Sequence, residues 1–168
     1  MGPPGGCPVG PGIMSPEEAA ELIDRELIFE LPNDLQCIED AVEFVVSRCS
    51  TCQDVARKLR FNFRVSLVEA LSNAMIYGNG RDPAKRVRLE VRLRSGRLTA
   101  RVTDQGRGFN PLRVPDPTTP ENLLEEGGRG LFLMRKLMDE VHYNDRGNSV
   151  TLILHLAGSG PFQDQATA

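Results

Sequence analysis

The chain has 168 residues, of which 40% are hydrophobic and 26% are charged, a composition typical of one soluble globular domain. Its formal net charge of −3 argues against broad, non-specific binding to nucleic acid. No apolar run approaches the length of a membrane-spanning helix, so we expect no membrane among the partners of the protein.

Both ends of the chain are predicted to be disordered tails. Residues 1–14 are rich in glycine and proline and lack the apolar core of a secretion signal, which favours a cytoplasmic location. Residues 157–168 are interpreted in the same way. We therefore expect one folded domain over residues 28–156, preceded by a helix over residues 15–27.

The helix over residues 15–27 is predicted from its start. Residues 15–18 read Ser-Pro-Glu-Glu, which combines a capping serine, a proline suited to the first helical position and a glutamate that completes a capping box. A short strand is predicted over residues 28–31, followed by a Pro-Asn-Asp turn. Apolar residues then recur at helical spacing from Leu35 to Cys49 and predict a second helix.

The most informative stretch lies between Arg64 and Gly80. Apart from Glu69 it is uncharged after Arg64 and apolar nearly all round, which predicts a buried helix. Glu69, Asn73 and Tyr77 are spaced four residues apart and form one polar stripe. A solvated face usually carries several charges, whereas a lone carboxylate in a buried helix is costly unless it is paired or faces a ligand. The stripe therefore favours a functional site, in which an acid and an amide could hold a metal–phosphate group and act as a base.

Strand periodicity follows the central helix. Apolar and polar residues alternate over residues 86–103 around a Ser-Gly turn, which predicts a β-hairpin with one buried face. The other face is rich in arginine, and a solvated surface is favoured there over a binding patch for an acidic partner. The second strand runs into Asp104-x-Gly106-x-Gly108, an acid followed by glycines that allow the backbone to approach a ligand closely.

The last third of the chain begins with a loop, residues 110–127, that contains four prolines. A glycine cluster at residues 127–130 then opens a helix predicted over residues 131–140, and its exposed N–H groups and helix dipole suit a phosphate group. A second hairpin is predicted from residues 141–144 and 148–156, since a tight turn separates them.

The cysteines give a weaker signal. Cys49 and Cys52 form a C-x-x-C sequence, which is half of a zinc or redox motif. No second such pair follows, and the two histidines, His142 and His155, lie far along the chain. Ordinary reduced cysteines are therefore favoured over a metal site.

Taken in this order, the elements resemble the GHKL ATPase superfamily, whose nucleotide-binding domain is the Bergerat fold. The resemblance covers about residues 28–156. Within the superfamily the chain is most similar to the small serine kinases that act as anti-sigma factors in bacterial partner-switching systems, because of its short single domain, its Glu-Ala-Leu-Ser-Asn-Ala stretch and its lid sequence. Three motifs carry the resemblance: an N box, Glu69-x-x-x-Asn73; a first glycine box, Asp104-x-Gly106-x-Gly108; and a second glycine box, Gly128-x-Gly130.

The resemblance implies a two-layer α/β (α+β) sandwich, with helices on one face of a mixed, mostly antiparallel sheet. It also implies three roles in binding ATP and Mg²⁺. Glu69 would activate the attacking hydroxyl, Asn73 would ligate the Mg²⁺ that bridges the phosphates, and Asp104 would accept the adenine amino group. The remaining positions would surround the nucleotide: Gly106 and Gly108 by close backbone approach, and Gly128, Arg129 and Gly130 beside the phosphates beneath a lid formed by residues 110–127.

The sequence departs from the family pattern in two places. The last strand of the family often begins Gly-Thr with the threonine near adenine, whereas residues 147–150 read Gly-Asn-Ser-Val here. We therefore expect Asn148 or Ser149 to substitute for that threonine. The helix over residues 15–27 has no counterpart in the minimal family domain, and a dimer element, a partner element and a simple flank all remain open.

Three functions remain open. The resemblance favours an ATP-dependent protein serine/threonine kinase that phosphorylates an anti-anti-sigma (antagonist) protein, binds a sigma factor and forms a homodimer. The second is a nucleotide-gated binding module, although a pure binder would not need the Glu69 carboxylate. The third is the catalytic domain of a sensor histidine kinase, which is disfavoured because no histidine precedes His142 to accept the phosphate.

Overall fold

The computed structural model describes residues 25–49, 57–94, 96–119, 121 and 128–156. They form a two-layer α+β sandwich in which a five-stranded sheet packs against three helices, so the predicted architecture is confirmed. The strand order is β1-β2-β3-β5-β4, and all four pairings of the described strands are antiparallel rather than mixed. The strands are β1 (Arg25–Pro32), β2 (Arg86–Arg94), β3 (Arg97–Thr103), β4 (Glu140–Tyr143) and β5 (Ser149–His155), and the helices are α1 (Ile38–Cys49), α2 (Arg64–Asn73) and α3 (Arg129–Leu137).

The sheet follows from the alternation of β2 and β3. Their apolar side chains are buried and their arginines are exposed, and opposite residues such as Leu89 and Val102 share the core face. On the outer face, Arg92 Nε lies 2.7 Å from Glu26 Oε1 and Arg88 Nη1 lies 2.9 Å from Glu30 Oε1. Exposed ion pairs of this kind add little to stability, so the buried face supplies most of the stability of the sheet.

Strand β1 begins earlier than the sequence indicated. Arg25, Glu26 and Leu27 lie in the strand, so the predicted helix over residues 15–27 is wrong for its last three residues. Leu27 pairs with Val91 of β2, and this long-range pairing overrides a locally helical pattern. The rest of that helix and both predicted tails, residues 1–14 and 157–168, lie outside the described residues.

Helix α1 is positioned by a short turn. Asp34 caps a 3-10 turn over Leu35–Cys37 by accepting a hydrogen bond of 3.0 Å from Gln36 N, and α1 continues directly from it. Its apolar positions face the core at helical spacing, as the sequence predicted; they are Ile38, Val42, Val45, Val46 and Cys49.

Helix α2 is the centre of the helical layer and contacts both α1 and α3. The chain is helical from residue 57 to Gly78, with π-helical turns at Leu59–Phe63 and Ala74–Gly78 on either side of α2. Phe63, Leu67 and Leu71 are fully buried, and burial of each such side chain is worth about 1.5–3 kcal/mol. The polar stripe is therefore carried on a helix whose other faces are held by packing.

Helix α3 is followed at once by the final hairpin. It ends at Leu137 rather than at the predicted residue 140, because Met138 is extended and β4 starts at Glu140. In the ranges that the structure describes, no helix is both long enough and apolar enough to cross a bilayer.

Candidate active site

The acid and the amide of the central stripe lie one turn apart on α2. Glu69 and Asn73 are both half-buried, and Tyr77 at the end of the stripe is 72% exposed. The spacing of four residues places all three side chains on one face of the helix. The stripe therefore runs from the interior of the helical layer out to solvent.

The first turn of α3 faces this stripe. A methyl group at Gly130 would lie 2.6 Å from Glu69 Oε2 and 3.3 Å from Asn73 Nδ2, so a side chain there would have to displace the end of Glu69. Gly128, which precedes the helix, is left-handed with a φ of 86°. The N–H groups and the positive dipole end of α3 thus stand beside a carboxylate and an amide, an arrangement suited to a phosphate group.

Asp104 lies at the end of β3, against the end of the central helix. A methyl group at Gly78 would overlap the Asp104 carboxylate, which shows how closely the two segments approach. Asp104 Oδ1 accepts a hydrogen bond of 2.7 Å from Gly106 N. Burial raises the pKa of Asp104 because it disfavours the charged form, and the Gly106 N–H, Lys85 and Arg146 oppose this effect.

The two glycines after Asp104 are required by backbone packing. A methyl group at Gly106 would overlap the Gly78 carbonyl, and one at Gly108 would overlap the Arg146 carbonyl. Likewise, a methyl group at Gly147 would overlap the Phe109 carbonyl. Both Gly108 and Gly147 have a positive φ, in the left-handed region. The loop after β3 and the turn between β4 and β5 therefore interlock, backbone against backbone.

An aromatic pair closes this end of the site. The ring centroids of Phe109 and Tyr143 lie 5.1 Å apart in an edge-to-face arrangement. Burial raises the pKa of Tyr143 to about 12; the charge of Arg135 opposes this effect and that of Asp104 adds to it. The Tyr143 hydroxyl therefore stays protonated at neutral pH.

Asn148 and Ser149, the two candidates to replace the family's threonine near adenine, point in different directions. Asn148 Nδ2 donates a hydrogen bond of 3.0 Å to the Asp104 carbonyl, so Asn148 supports the backbone of Asp104. Ser149 Oγ lies 2.7 Å from Thr103 Oγ1, and Thr103 belongs to the outer face of β3. The structure thus brings Asn148 into the site and turns the Ser149 hydroxyl towards the opposite face of the sheet.

The predicted lid, residues 110–127, is described only in part, since residues 120 and 122–127 lie outside the described residues. Asn110 caps a 3-10 turn over Pro111–Arg113 through a hydrogen bond of 2.9 Å from Leu112 N. A methyl group at Gly128 would lie 2.7 Å from the Pro115 carbonyl, so the lid segment packs on the start of α3. Arg129 follows on the exposed side of the first helical turn.

Two residues of the site were not identified from the sequence. Gly78 and Asn79 lie at the end of the stretch that predicts the central helix, where no pattern gives them a role, yet Gly78 makes room for Asp104 and Asn79 is 1% exposed. A signal was present, because glycines flank an asparagine directly after a helix that carries the stripe. This signal can be interpreted only together with the loop after β3, and no local sequence pattern predicts that this loop lies beside Gly78 and Asn79.

The donor set for a metal ion is small. Among the residues that the structure describes, no three His, Cys, Asp or Glu side chains converge as a metal site. Cys49 is a buried free thiol, and Cys52 lies outside the described residues. The carboxylate of Glu69 and the amide of Asn73 remain, and both side chains reach the start of α3 beside Gly130. They fit an ion such as Mg²⁺ that takes one or two protein ligands and completes its shell with phosphates and water.

Comparison with known proteins supports the same fold. Residues 31–154 match the model of the histidine kinase-like ATPase domain. An anti-sigma F factor of Anoxybacillus flavithermus is 36% identical over 98 residues, which is 54% of this chain and 66% of that protein. The serine-protein kinase RsbW of Bacillus subtilis is 31% identical over 121 residues, 64% of this chain and 76% of that protein. The RsbW of Oceanobacillus iheyensis is 25% identical over 116 residues, 62% and 73% respectively. The match thus spans slightly less than two thirds of the anti-sigma F factor and about three quarters of the two kinases.

Proposed function

The chain belongs to the family of histidine kinase-like ATPase domains, and we propose that within it the protein is an ATP-dependent serine/threonine kinase that acts as an anti-sigma factor. Its substrate in this proposal is a serine of an anti-anti-sigma protein, and its second partner is a sigma factor. The names of the similar proteins, serine-protein kinase RsbW and anti-sigma F factor, support both halves of the proposal. We further propose that it is a cytoplasmic homodimer, as the family resemblance implies.

The observation that carries the kinase half is the contact of Glu69 with the first turn of α3. A methyl group at Gly130 would lie 2.6 Å from Glu69 Oε2, so the carboxylate lies close to the start of α3. The first N–H groups of a helix have no partner within the helix. Phosphoryl transfer needs little covalent help from a protein and depends on positioning and charge stabilisation. In this arrangement the N–H groups of α3 would bind the phosphates, and Glu69 would accept the proton of the attacking serine hydroxyl.

Asn73 is the residue that we assign to Mg²⁺. Its amide lies one turn from Glu69, and its Nδ2 would lie 3.3 Å from a methyl group at Gly130, so both side chains face the start of α3. A Mg²⁺ ion bound there would neutralise charge on the phosphates. Gly128 and Arg129 would border the phosphates from the start of α3, and Gly106 and Gly108 would let the backbone approach the nucleotide.

The base-recognising role of Asp104 gives a first prediction. Adenine presents an amino group where guanine presents a carbonyl oxygen, so a carboxylate accepts from the first and repels the second. We expect Asp104→Asn to weaken ATP binding by roughly 1–3 kcal/mol, the cost of a mismatched buried polar group, and to narrow the preference for ATP over GTP. Titration calorimetry with both nucleotides measures the effect, with the exposed Asp145→Asn as the matched control. Equal affinity of the unmodified protein for ATP and GTP would remove Asp104 from this role.

The close approach at Gly130 gives a second prediction. In Gly130→Ala the new methyl group must displace the flexible end of Glu69 and occupy the space beside Asn73. We expect phosphate transfer to slow by at least about tenfold, because small displacements of catalytic groups are costly. The melting temperature should not fall, since alanine is favoured over glycine in helices by about 1 kcal/mol. Single-turnover kinetics and thermal melts measure both effects, and Lys136→Ala on the same helix should change neither by much.

The proposed function is tested by incubating the protein with γ-labelled ATP and candidate anti-anti-sigma proteins encoded beside it. We expect label on one serine of one candidate, and capture of a sigma factor in a separate pull-down. A protein that binds ATP and these partners but never transfers phosphate would instead be a nucleotide-gated binding module.

A further inference from the structure

Asn79 is the only buried asparagine among the residues that the structure describes. Its side chain uses both its donors and its acceptor. Asn79 Oδ1 accepts a hydrogen bond of 2.8 Å from Gln105 N, while Nδ2 donates to the Arg86 carbonyl at 3.0 Å and to Asn33 Oδ1 at 3.2 Å. A buried polar group that is fully satisfied in this way defines a single local arrangement of the backbones that it joins.

These bonds connect the two halves of the proposed nucleotide site. Asn79 follows Gly78 at the end of the central helix, and Gln105 follows Asp104 at the end of β3. Gly78 already packs against the Asp104 carboxylate and against Gly106. The Asn79–Gln105 hydrogen bond therefore lies one residue beyond the contact between Gly78 and Asp104 on both segments, and it stabilises that contact.

The backbone turns sharply directly after Asn79. Gly80 and Arg81 are both left-handed, with φ values of 65° and 59°, and Arg81 is the only described non-glycine residue with a positive φ. That conformation is unfavourable for a residue that carries a Cβ atom. Arg81 N donates to the Met75 carbonyl at 2.9 Å, which folds the turn back on the helix and leaves Asn79 pointing inward.

We propose that Asn79 is a positioning residue for recognition of the nucleotide base. Through its hydrogen bond with Gln105 N, Asn79 holds the Asp104 carboxylate in a fixed position relative to Glu69 and Asn73. One nucleotide can then contact all three side chains. The inference rests on the proposed function, because it takes Asp104 as the group that recognises adenine. If Asn79 is removed, discrimination between adenine and guanine should therefore fall by more than a loss of stability alone would explain.

The test compares Asn79→Ala with Asn33→Ala. Asn33 belongs to the same network and donates to the Asp82 carbonyl at 2.9 Å, but it makes no contact with the loop after β3 in the hydrogen bonds described for it. Both variants lose buried hydrogen bonds and should melt at lower temperatures. We expect the ratio of ATP to GTP affinity, measured by calorimetry with Mg²⁺, to fall at least about fivefold in Asn79→Ala, the equivalent of one lost hydrogen bond. In Asn33→Ala the ratio should stay within about twofold of the unmodified protein, because the bond to Gln105 remains.

The outcomes separate the inference from the proposed function. An unmodified protein that binds no ATP would refute the proposed function, and the positioning role with it. If the unmodified protein prefers ATP and Asn79→Ala keeps the same preference, only the positioning role is refuted. An equal loss of preference in both variants would also refute it, since the network would then act only through stability. Should Asn79→Ala fail to fold by circular dichroism, Asn79→Ser, whose hydroxyl is too short to span to Gln105 N, is judged by the same ratio.

Discussion

Glu69→Gln is expected to slow transfer of phosphate to the serine substrate by at least about 100-fold while the protein still binds ATP, because loss of a general base typically costs about 10²–10⁴-fold in rate. Glutamine keeps the volume of the side chain and its place on α2, but it cannot accept the proton of the attacking hydroxyl. A base acts only as the hydroxyl attacks, so nucleotide affinity should stay near normal. Single-turnover phosphotransfer and ATP calorimetry on one purified variant measure the two effects.

Two further measurements sharpen this result. The Glu69→Gln variant should still capture a sigma factor, because that surface need not include the attack site. Glu43→Gln makes the same charge change at an exposed position of α1, where Glu43 pairs with Arg64, and its transfer rate should be unchanged. Normal transfer by Glu69→Gln would show that another group is the base.

Asn73→Ala is expected to lose nucleotide binding and activity together. If the amide lies in the Mg²⁺ shell, its removal leaves the phosphates without their protein-held ion, and substitutions around metal sites commonly cost about 10- to 100-fold in affinity. We therefore expect ATP to bind at least about tenfold more weakly in the presence of Mg²⁺. In Mg²⁺-free buffer with EDTA, the unmodified protein and the variant should bind ATP with similar, weak affinity.

Asn62→Ala is the matched control for Asn73→Ala. Asn62 lies before α2 on the same continuous helix, and its Nδ2 donates a hydrogen bond of 2.9 Å to the Leu137 carbonyl at the far end of α3. Its loss should cost about 0.5–1.5 kcal/mol of stability and leave ATP binding intact. If Asn62→Ala weakens ATP binding as much as Asn73→Ala does, the effect of Asn73 is structural and its assignment to Mg²⁺ is wrong.

The elements that could be predicted from sequence are those specified by a local period. The alternation in β2 and β3 and the helical spacing in α1 both report directly which face is buried, and the structure agrees with them. Strand β1 shows the limit of this reasoning. Its first three residues continue a helical pattern, but they pair with β2, and Glu26 meets Arg92 across the strands. Only the partner strand, more than sixty residues away, decides their conformation.

The same division holds for the candidate site. Glu69 and Asn73 could be identified because their spacing on a helix is fixed by its geometry, and their roles stay predictions. Asn148 and Ser149 could not be separated, because which of them turns towards Asp104 depends on the strand alternation after a tight turn. Asn79 was missed because its partners, Gln105, Arg86 and Asn33, come from three distant segments.

The interlocked backbones of Gly108 and Gly147 limit how this protein can change in evolution. Each glycine lies against a carbonyl of the other loop, so no side chain at one position can be accommodated by a smaller residue at the other. We therefore expect no compensating pair of substitutions at Gly108 and Gly147. Selection from a library that diversifies both positions should return glycine at each. Substitutions that change the site must instead occur at side-chain positions such as Asn148. Its amide accepts a hydrogen bond from the Asn144 amide and donates one to the Asp104 carbonyl, and either asparagine can be replaced without the other.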